Sequence, residues 1–468
     1  MRPAAAIVLL CVVVASVRAQ VPLRDAPPAD LDAGFVAGWQ NGEPVPGSKK
    51  AGASADFSVC VRTDGRSTFD VRAADWSLSL ADQAIVFKMT LGDGRAVEMQ
   101  TPRLKSPPRS VVASIRRDAR QALSGLWIDG VEMASVAVAP GQTKWDSSAL
   151  KTTALLALMY DRALTRPEII EFGQTEQRHE PKPPFPGEFV VDDGEVISLL
   201  GGSEAVGLVE SGWFESALMV FAAGKKVSVR DLSWEADTAL RQDRPMNFGS
   251  LAQQLERTGT TTVILMFGRQ DCIEMGPGRA QQFYDAMERI VRTCAVHTRR
   301  IVIVGPVPFE KKEPPLPDLS SQNKALSAYS EAAYAAAENG NCLFVDVLRE
   351  WPQGAARWTT DGLTMTDSGH RVLADLMALH LWNGRPLDST VQQLRKAIIE
   401  KNKLWHDYWR PSNWAFLHGD RTAQPSSRDH LNPGVRWFPA ELEKYRDLIT
   451  AKEKEIWKQA AEPGGKLP

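Results

Sequence analysis

The pattern of apolar and polar positions divides the chain into parts with different periods. Between residues 33 and 170, apolar and polar residues alternate in short runs such as Phe57–Val61 and Ala84–Met89. Turn formers separate these runs, and Asp93-Gly94 and Asp129-Gly130 are dipeptides that favour tight hairpins. Many short strands at this spacing predict an antiparallel β-sandwich over residues 33–170.

From Phe189 onwards the runs are largely apolar, which is typical of strands buried on both faces. Helical stretches lie between them, and this alternation predicts an α/β domain with a doubly wound parallel sheet over residues 189–384. The predicted strands are Val196–Leu200, Val227–Val229, Thr262–Phe267, Ile301–Val304 and Leu343–Val347, and the predicted helices are Phe248–Arg257, Arg279–Cys294, Ser320–Asn339 and Asp367–Leu381.

Two further segments flank the α/β domain. Residues 171–188 are rich in proline, which predicts an extended, semi-rigid linker. Residues 385–468 predict a helical extension: a charged helix to about Lys403, a Trp-rich irregular segment, and a final helix over Pro439–Gln459. The chain has 14 Trp but only 6 Tyr, and six of the tryptophans lie beyond residue 380. We expect them to pack a small subdomain or, if exposed, to stack on sugar faces.

The first 19 residues have the pattern of a secretory signal peptide. A short cationic start, Met1-Arg2, precedes the apolar stretch Ala4–Ser16, and small residues stand at the two positions that signal peptidase reads before Gln20. The alternative is a membrane anchor, but the apolar stretch is shorter than the roughly 20 residues that span a bilayer. We therefore expect an exported bacterial protein, secreted or periplasmic, that has no membrane span.

Charge and cysteine content exclude several classes of function. Lys and Arg number 55 and Asp and Glu number 57, so no basic excess indicates a nucleic-acid partner. The cysteines beyond the signal peptide are widely spaced and form no Cys-x-x-Cys pair, so the sequence implies no zinc site and leaves one disulfide open. Nothing in the sequence implies a metal or an organic cofactor.

Candidate chemistry lies at the ends of the predicted parallel strands, because ligands of open α/β sheets bind beyond the carboxyl ends of the strands. Polar segments occupy these positions after the first three strands and before the last helix. They are Gly201–Glu204, Asp231–Thr238, Gly268–Asp271 and Asp361–His370. We expect Trp234, Arg269 and Asp271 to line a binding site there.

In order and spacing, these four segments resemble the blocks of SGNH or GDSL-like hydrolases, whose first block reads Gly-Asp-Ser, third Gly-x-Asn-Asp and last Asp-x-x-His. The resemblance covers residues 189–381. It implies that Ser203 is a nucleophile and that Asp361 orients a histidine base. It also implies an oxyanion hole formed by the N–H of Ala236, where glycine is usual, and the amide of Gln270, where asparagine is usual.

The resemblance fails at the histidine of the last block. Thr364 occupies that position, and a threonine cannot act as a general base near neutral pH. His370, six residues later, and His430, in the Trp-rich segment, are candidates for a relocated base. For His430, Asp361 would be a better orienting partner than the adjacent Asp429.

Simpler roles are open for the same residues. Ser203 could cap a helix from Glu204 to Leu218, and Asp361-Gly362 could form a plain turn. The loop Gly268–Asp271 could serve only to connect two elements. The sequence by itself does not choose between these roles and a catalytic one.

The N-terminal part has a resemblance of its own. The succession Val111–Ile115, Leu126–Val131 and Met159–Ile169 is similar to the closing half of laminin-G-like or concanavalin-like sandwiches. Such a domain implies carbohydrate binding. Calcium binding is not implied, because the segment has no acidic cluster.

Two hypotheses for function follow. The first is a secreted SGNH-type serine esterase that acts on a small-molecule or glycan ester, such as an O-acyl or O-acetyl group of a carbohydrate. The second is a catalytically inactive module of the same fold that binds glycan or protein. Thr364 is the residue on which the choice depends.

Overall fold

A computed structural model of the protein describes residues 35–172 with gaps, and residues 181–462 apart from 353–356, 423 and 432–434. The gaps in the first range are 41–42, 46–47, 49–50, 55, 64–67, 74, 91–95, 102, 105–106, 109, 118–121, 129–130, 138–142, 147–150, 155, 165–167 and 170–171. The signal peptide, most of the linker before Pro181 and both hairpin dipeptides lie outside the described residues.

Contacts divide the chain into two compact units. The first, called the β unit here, comprises residues 1–178, 246–249 and 413–441. The second, the α/β unit, comprises residues 179–245, 250–412 and 442–468. The segment predicted as one extension, 385–468, is therefore shared between the two units.

The β unit consists of antiparallel sheets, as the sequence predicts. A seven-stranded sheet has the order β11-β10-β9-β4-β14-β1-β2, a five-stranded sheet has the order β13-β5-β6-β7-β8, and β12 pairs with β3. The strands are β1 (Phe35–Gln40), β2 (Glu43–Pro44), β3 (Ala51–Ser54), β4 (Phe57–Arg62), β5 (Phe69–Arg72), β6 (Trp76–Ala81), β7 (Ala84–Thr90), β8 (Ala96–Gln100), β9 (Ser110–Arg117), β10 (Ala122–Ile128), β11 (Val131–Ala137), β12 (Thr143–Asp146), β13 (Lys151–Thr152) and β14 (Leu156–Tyr160).

The two larger sheets share one hydrophobic core. Phe57 and Val59 of β4 pack in the same buried cluster as Leu78 of β6 and Phe87 of β7. Alternate residues of β6 are buried, which is the period expected of a strand with one face in the core. The structure thus confirms antiparallel sheets, and the laminin-G-like or concanavalin-like type stays a prediction.

The α/β unit contains a five-stranded parallel sheet, which confirms the predicted architecture. Its order is β16-β15-β17-β18-β19, and each neighbouring pair is parallel. The strands are β15 (Val196–Gly201), β16 (Ser228–Asp231), β17 (Thr262–Met266), β18 (Ile301–Val304) and β19 (Leu343–Val345). The helices that follow along the chain are α1 (Ser203–Ser211), α2 (Trp213–Phe221), α3 (Leu251–Thr258), α4 (Arg269–Met275), α5 (Ala280–Ala295), α6 (Asn323–Asn339), α7 (Val347–Glu350), α8 (Asp367–Trp382), α9 (Gln392–Trp409), α10 (Trp414–Leu417) and α11 (Trp437–Ala461).

The helical stretch after β15 differs from the sequence prediction of one helix over Glu204–Leu218. Gly212 adopts the left-handed conformation, with φ +71°, and ends α1 one residue before α2 begins. A residue with a side chain is strained in that conformation, so the glycine permits the break. Among the helices that the structure describes, none is long and apolar enough to cross a membrane.

Candidate active site

The site lies where the order of the parallel sheet reverses. β15 is hydrogen-bonded to β16 on one side and to β17 on the other. The connection from β15 to β16 therefore runs towards one edge of the sheet, and the connection from β16 to β17 returns towards the other edge. Open α/β sheets bind ligands at such a switch point. Gly201, the last residue of β15, lies so close to the main-chain oxygen of Met266 that a Cβ atom would overlap it. The glycine therefore allows the segment before Ser203 to pack against the end of β17.

Ser203 is the first residue of α1 and is exposed. Its hydroxyl donates a hydrogen bond to the main-chain oxygen of Glu235, with an Oγ–O distance of 2.7 Å. The helix cap is Gly202, and no side-chain cap is formed, so the capping role considered for Ser203 is not the one it has. Its position at a strand-to-helix turn exposes the hydroxyl where ligands of this fold bind.

Asp361 forms a closed turn with Thr364. One carboxylate oxygen accepts hydrogen bonds from the N–H groups of Leu363, at 2.9 Å, and Thr364, at 2.6 Å. The other oxygen accepts the hydroxyl of Thr364 at 2.9 Å. Burial raises the pKa of Asp361, but these hydrogen bonds outweigh it and hold the pKa below its usual value. Thr364 therefore contacts the carboxylate that a histidine would contact in the Asp-x-x-His block.

Arg269 links the serine segment to the aspartate segment. Its guanidinium binds Glu204, the residue after Ser203, at 2.9 Å and the main-chain oxygen of Leu363 at 2.7 Å. The same group donates to the main-chain oxygen of Gly362 at 3.1 Å. The side chain is only 2% exposed. Arg269, predicted to line a binding site, thus lies beneath the surface and holds two parts of the site together.

Asp271 stabilises the loop at the start of α4. It is fully buried, and its two carboxylate oxygens accept the N–H groups of Ala239, at 2.8 Å, and Gly268, at 2.9 Å. Burial raises its pKa to about 6, against the hydrogen bonds from those two N–H groups. The contacts of this predicted binding residue are to the protein's own backbone, so it joins the loop after β16 to the loop after β17.

The two predicted oxyanion donors stay predictions. Ala236 is exposed in the loop after β16, and Gln270 is half-buried in the first turn of α4. Neither the N–H of Ala236 nor the amide of Gln270 donates a hydrogen bond to a residue that the structure describes. Free donors are what an oxyanion hole requires.

Trp234, the third predicted binding residue, lies in the loop that also carries Glu235. Its main-chain N–H donates to the main-chain oxygen of Gly201 at 3.0 Å, which fixes this loop to the end of β15. The guanidinium carbons of Arg410 and Arg244 lie over its ring, 4.2 and 4.7 Å from the centroid. Half-buried and stacked in this way, Trp234 lies next to the residue that accepts the Ser203 hydroxyl.

His370 packs against α1, one helical turn beyond Ser203. Its imidazole lies where a Cβ atom at Gly207 would be, so glycine is required at that position for the ring to fit. Burial lowers the pKa of His370, and the carboxylates of Asp367 and Glu204 oppose this shift only in part. The imidazole is therefore neutral at pH 7, as a general base must be.

His430, the other candidate base, belongs to the β unit and is exposed. Within the described part of the α/β unit, no histidine nitrogen is hydrogen-bonded to the hydroxyl of Ser203. A catalytic role for His430 stays a prediction. In the described residues no group of three or more His, Cys, Asp or Glu side chains is arranged to hold a metal ion.

The structure adds Arg410, Arg244 and Glu204 to the residues that the sequence predicts for this region. Glu204 directly follows Ser203, so its position could be predicted, but its pairing with the buried Arg269 could not. Arg410 is far along the chain from Trp234 and carries no local signal of the contact. Only the fold brings these residues together.

Residues 203–372 match the model of the GDSL-like Lipase/Acylhydrolase family. The matched span contains Ser203, Gln270 and Asp361 and four of the five strands of the parallel sheet. No curated protein matches the chain.

Several solved structures are similar to part of this chain. A lipase/acylhydrolase from Enterococcus faecalis has 15% identity and a TM-score of 0.31, with 42% of this chain and 100% of that chain covered. An α/β hydrolase from the metagenome of Lake Arreo has 15% identity and a TM-score of 0.32, with 41% and 97% covered. A catalytic mutant of an acetylxylan esterase from Geobacillus stearothermophilus has 15% identity and a TM-score of 0.31, with 41% and 96% covered.

Proposed function

We propose that the α/β unit hydrolyses carboxylic esters with Ser203 as the nucleophile. The observation that carries this proposal is the position of Ser203: exposed, at the turn from β15 into α1, and inside the span that matches GDSL-like acylhydrolases. Arg269 holds the Asp361 turn to the residue after this serine. Nucleophile and acid segment are therefore fixed in one assembly.

In the proposed reaction, the Ser203 hydroxyl first exchanges its hydrogen bond with Glu235 for one to a histidine. Oγ then attacks the ester carbonyl carbon, and the histidine takes the hydroxyl proton. The N–H of Ala236 and the amide of Gln270 bind the oxyanion. Collapse of the intermediate expels the alcohol, which takes the proton from the histidine. Water then attacks the acyl-enzyme in the same way and releases the acid.

The base is His370 or His430. His370 is neutral at pH 7 and packs one turn from Ser203 along α1, which favours it on the described contacts. His430 is the alternative, with Asp361 as the orienting partner that the sequence predicts for it. Replacement of each histidine by alanine decides between them, because loss of the base costs about 10²–10⁴-fold in rate.

The test is hydrolysis of 4-nitrophenyl acetate by the full chain. We expect Ser203→Ala to abolish turnover, while Ser327→Ala leaves it unchanged. Ser327 is a matched control because it is also exposed and also donates to a main-chain oxygen, that of Asn323. Equal rates for the wild type and Ser203→Ala would overturn the proposal.

A second candidate function is binding without turnover, which one specific contact favours. The Thr364 hydroxyl donates a hydrogen bond to the Asp361 carboxylate, which would otherwise orient a histidine. Thr364→His distinguishes the two functions: it should raise the rate of a working enzyme modestly, but create activity of about 10²-fold or more in an inactive one. In the inactive case, glycan or protein binding should survive Ser203→Ala.

Export and carbohydrate binding complete the proposal. The signal-peptide pattern of residues 1–19 supports a secreted or periplasmic location, and mass spectrometry of the mature protein should find Gln20 at its N-terminus. The antiparallel sheets of the β unit support a carbohydrate-binding role, with a glycan O-acyl or O-acetyl ester as substrate. A glycan array with the full chain tests this role, and binding to no glycan would contradict it.

A further inference from the structure

A cluster of charged side chains surrounds Trp234 beside Ser203. The Trp234 cluster comprises Trp234, Glu235, Asp237, Arg244 and Arg410. Its tryptophan is fixed to the end of β15, and both arginines lie over the indole ring. Arg410 is the residue directly after α9, whereas the other four lie in or after the loop that follows β16.

The two arginines of the cluster have different partners. Arg244 binds both carboxylate oxygens of Asp237, at 2.7 and 2.6 Å, and also the main-chain oxygen of Leu232 at 3.3 Å. The side chains of Arg244 and Asp237 are 9% and 4% exposed, so they form a closed, buried pair. This pair supports the ring of Trp234 and leaves little for a ligand to contact.

Only one of the two terminal nitrogens of the Arg410 guanidinium donates a hydrogen bond to a residue that the structure describes. Its Nη2 donates to one oxygen of Glu235 at 2.6 Å, and the Glu235 side chain is 54% exposed while that of Arg410 is 11% exposed. Its Nη1 is buried and donates to none of the residues that the structure describes. A buried N–H without an acceptor is costly, so an acceptor supplied by a ligand would be stabilised there.

Geometry indicates which ligand group fits. A guanidinium presents parallel N–H groups that match the two oxygens of a carboxylate. Glu235 satisfies only one of them, and an ion pair with an exposed partner contributes little stability. A carboxylate that reaches both Nη atoms of Arg410 can therefore displace the Glu235 side chain.

The cluster adjoins the nucleophile through one residue. The main-chain oxygen of Glu235 accepts the Ser203 hydroxyl at 2.7 Å, while its side chain binds Arg410. The Ser203 hydroxyl and the Arg410 guanidinium therefore contact the main chain and the side chain of the same residue. This spacing suits a substituent on the same small substrate whose ester bond meets Ser203.

We propose that Arg410 is a specificity-determining residue that binds a carboxylate of the substrate in place of Glu235. The substrate class is thus an ester whose acyl or alcohol part carries a carboxylate. The turnover part of this inference rests on the proposed hydrolase function, whereas carboxylate binding at Arg410 does not. Glu235 occupies the site when no substrate is bound.

Binding is measured on full-length Ser203→Ala protein by ligand-observed NMR titration with two matched pairs. 4-Acetoxybenzoate and 4-acetoxybenzamide differ by a carboxylate on the alcohol part, and methyl hydrogen succinate and methyl succinamate differ by one on the acyl part. We expect the carboxylate member of at least one pair to bind about tenfold or more tightly. No preference in either pair overturns the inference.

Variants of the cluster test the assignment to Arg410. Arg410→Gln should abolish the preference, and Arg410→Lys should keep only part of it, because a lysine lacks the planar pair of donors. Glu235→Gln should tighten carboxylate binding, since it removes the competing charge. A preference that survives Arg410→Gln contradicts the inference.

Arg395→Gln is the matched control for folding and for general loss of charge. Its guanidinium lies 4.0 Å over Trp213 and pairs with Asp367, so it resembles Arg410 but lies in a different cluster. It should keep the full preference. If selective binding is found but the wild type hydrolyses neither member of a pair, the proposed hydrolysis fails and the carboxylate site stands. If the wild type hydrolyses these esters but binds both members of each pair equally, the proposed hydrolysis stands and the carboxylate site fails.

Discussion

Arg269 binds both the serine segment and the aspartate segment. It is buried, and it contacts Glu204 on one side and the Gly362-Leu363 carbonyls on the other. A lysine could reach one of these acceptors but could not bind several at once, because it lacks the planar fork of donors. The position of Ser203 therefore depends on a buried residue that lies beneath the surface of the site.

Replacement of Arg269 by methionine should destabilise the α/β unit by about 3–5 kcal/mol, because it leaves the Glu204 carboxylate partly buried without its partner. The rate of ester hydrolysis should fall about tenfold or more in protein that is still folded, since the two segments lose their common support. Thermal unfolding and hydrolysis of 4-nitrophenyl acetate measure the two effects.

Arg292→Ala is the control for this change. Arg292 pairs with Glu288 along one helix and is 67% exposed, so its removal should cost no more than about 0.5 kcal/mol. A folded Arg269→Met protein with full activity would show that Arg269 stabilises the fold without positioning Ser203.

Asp271 should make the α/β unit less stable as pH rises from about 4 to about 6. Its pKa in the folded protein is about 6, against 3.8 for the ordinary group, so the folded state binds the proton more tightly. Stability is then lost between these two values, where the unfolded carboxylate has ionised and the folded one has not, and the loss is complete once the pH has passed the folded pKa. Asp271→Asn has no carboxylate to ionise at this position. Its unfolding free energy should therefore rise relative to that of the wild type by about 2 kcal/mol over that interval.

The matched control for Asp271→Asn is Asp243→Asn. Asp243 pairs with Arg241 on the surface and is 75% exposed, so its replacement controls for the loss of one carboxylate. Chemical unfolding at pH 4 and pH 6.5 provides the comparison. A constant offset between wild type and Asp271→Asn at both pH values would contradict the assignment.

Helices α1 and α8 meet at the contact between Gly207 and His370. A Cβ atom at position 207 would overlap the imidazole, so Gly207→Ala should move the ring or separate the helices, at a cost of about 1–3 kcal/mol. In a His370→Ala background the same change should cost much less. Thermal unfolding of the four proteins of this double-mutant cycle should give a coupling energy of at least about 1 kcal/mol. Additive effects would show that the ring does not pack there.

The parallel strands and their helices could be predicted because each follows from a local pattern. Strands buried on both faces must be continuously apolar, as β17 and β18 are. The polar blocks could also be predicted, because three of them directly follow strands that their apolar runs identify. The break at Gly212 was missed, because a glycine within an apolar helical stretch is also compatible with an uninterrupted helix. The pairing of Arg269 with Glu204 has no local pattern at all.

Over the whole chain, the β unit is completed by residues from the C-terminal part. Val435 forms a β-bridge with Ala134 of β11. The next residue, Arg436, is fully buried, binds Glu132 at 2.7 Å and donates to the main-chain oxygen of Leu417 at 2.8 Å. Because about 300 residues separate Arg436 from Glu132, the sequence predicted a separate extension rather than this arrangement.

Arg436→Met should destabilise the β unit by about 3–5 kcal/mol, because Glu132 and the main-chain acceptors lose a buried partner. Arg421→Met, an exposed arginine of the same segment, should have little effect. Differential scanning calorimetry of the full chain measures both variants. Equal unfolding temperatures for the two would contradict a supporting role for residues 413–441 in the β unit.

The role of Ser203 as a nucleophile can be tested by tandem mass spectrometry after treatment of the full chain with a fluorophosphonate. We expect a phosphonyl adduct on the peptide that contains Ser203, and none in Ser203→Ala. An unlabelled Ser203 in the wild type, together with a labelled Ser203 in Thr364→His, would show that the native site lacks its base and that Ser203 is not a nucleophile there.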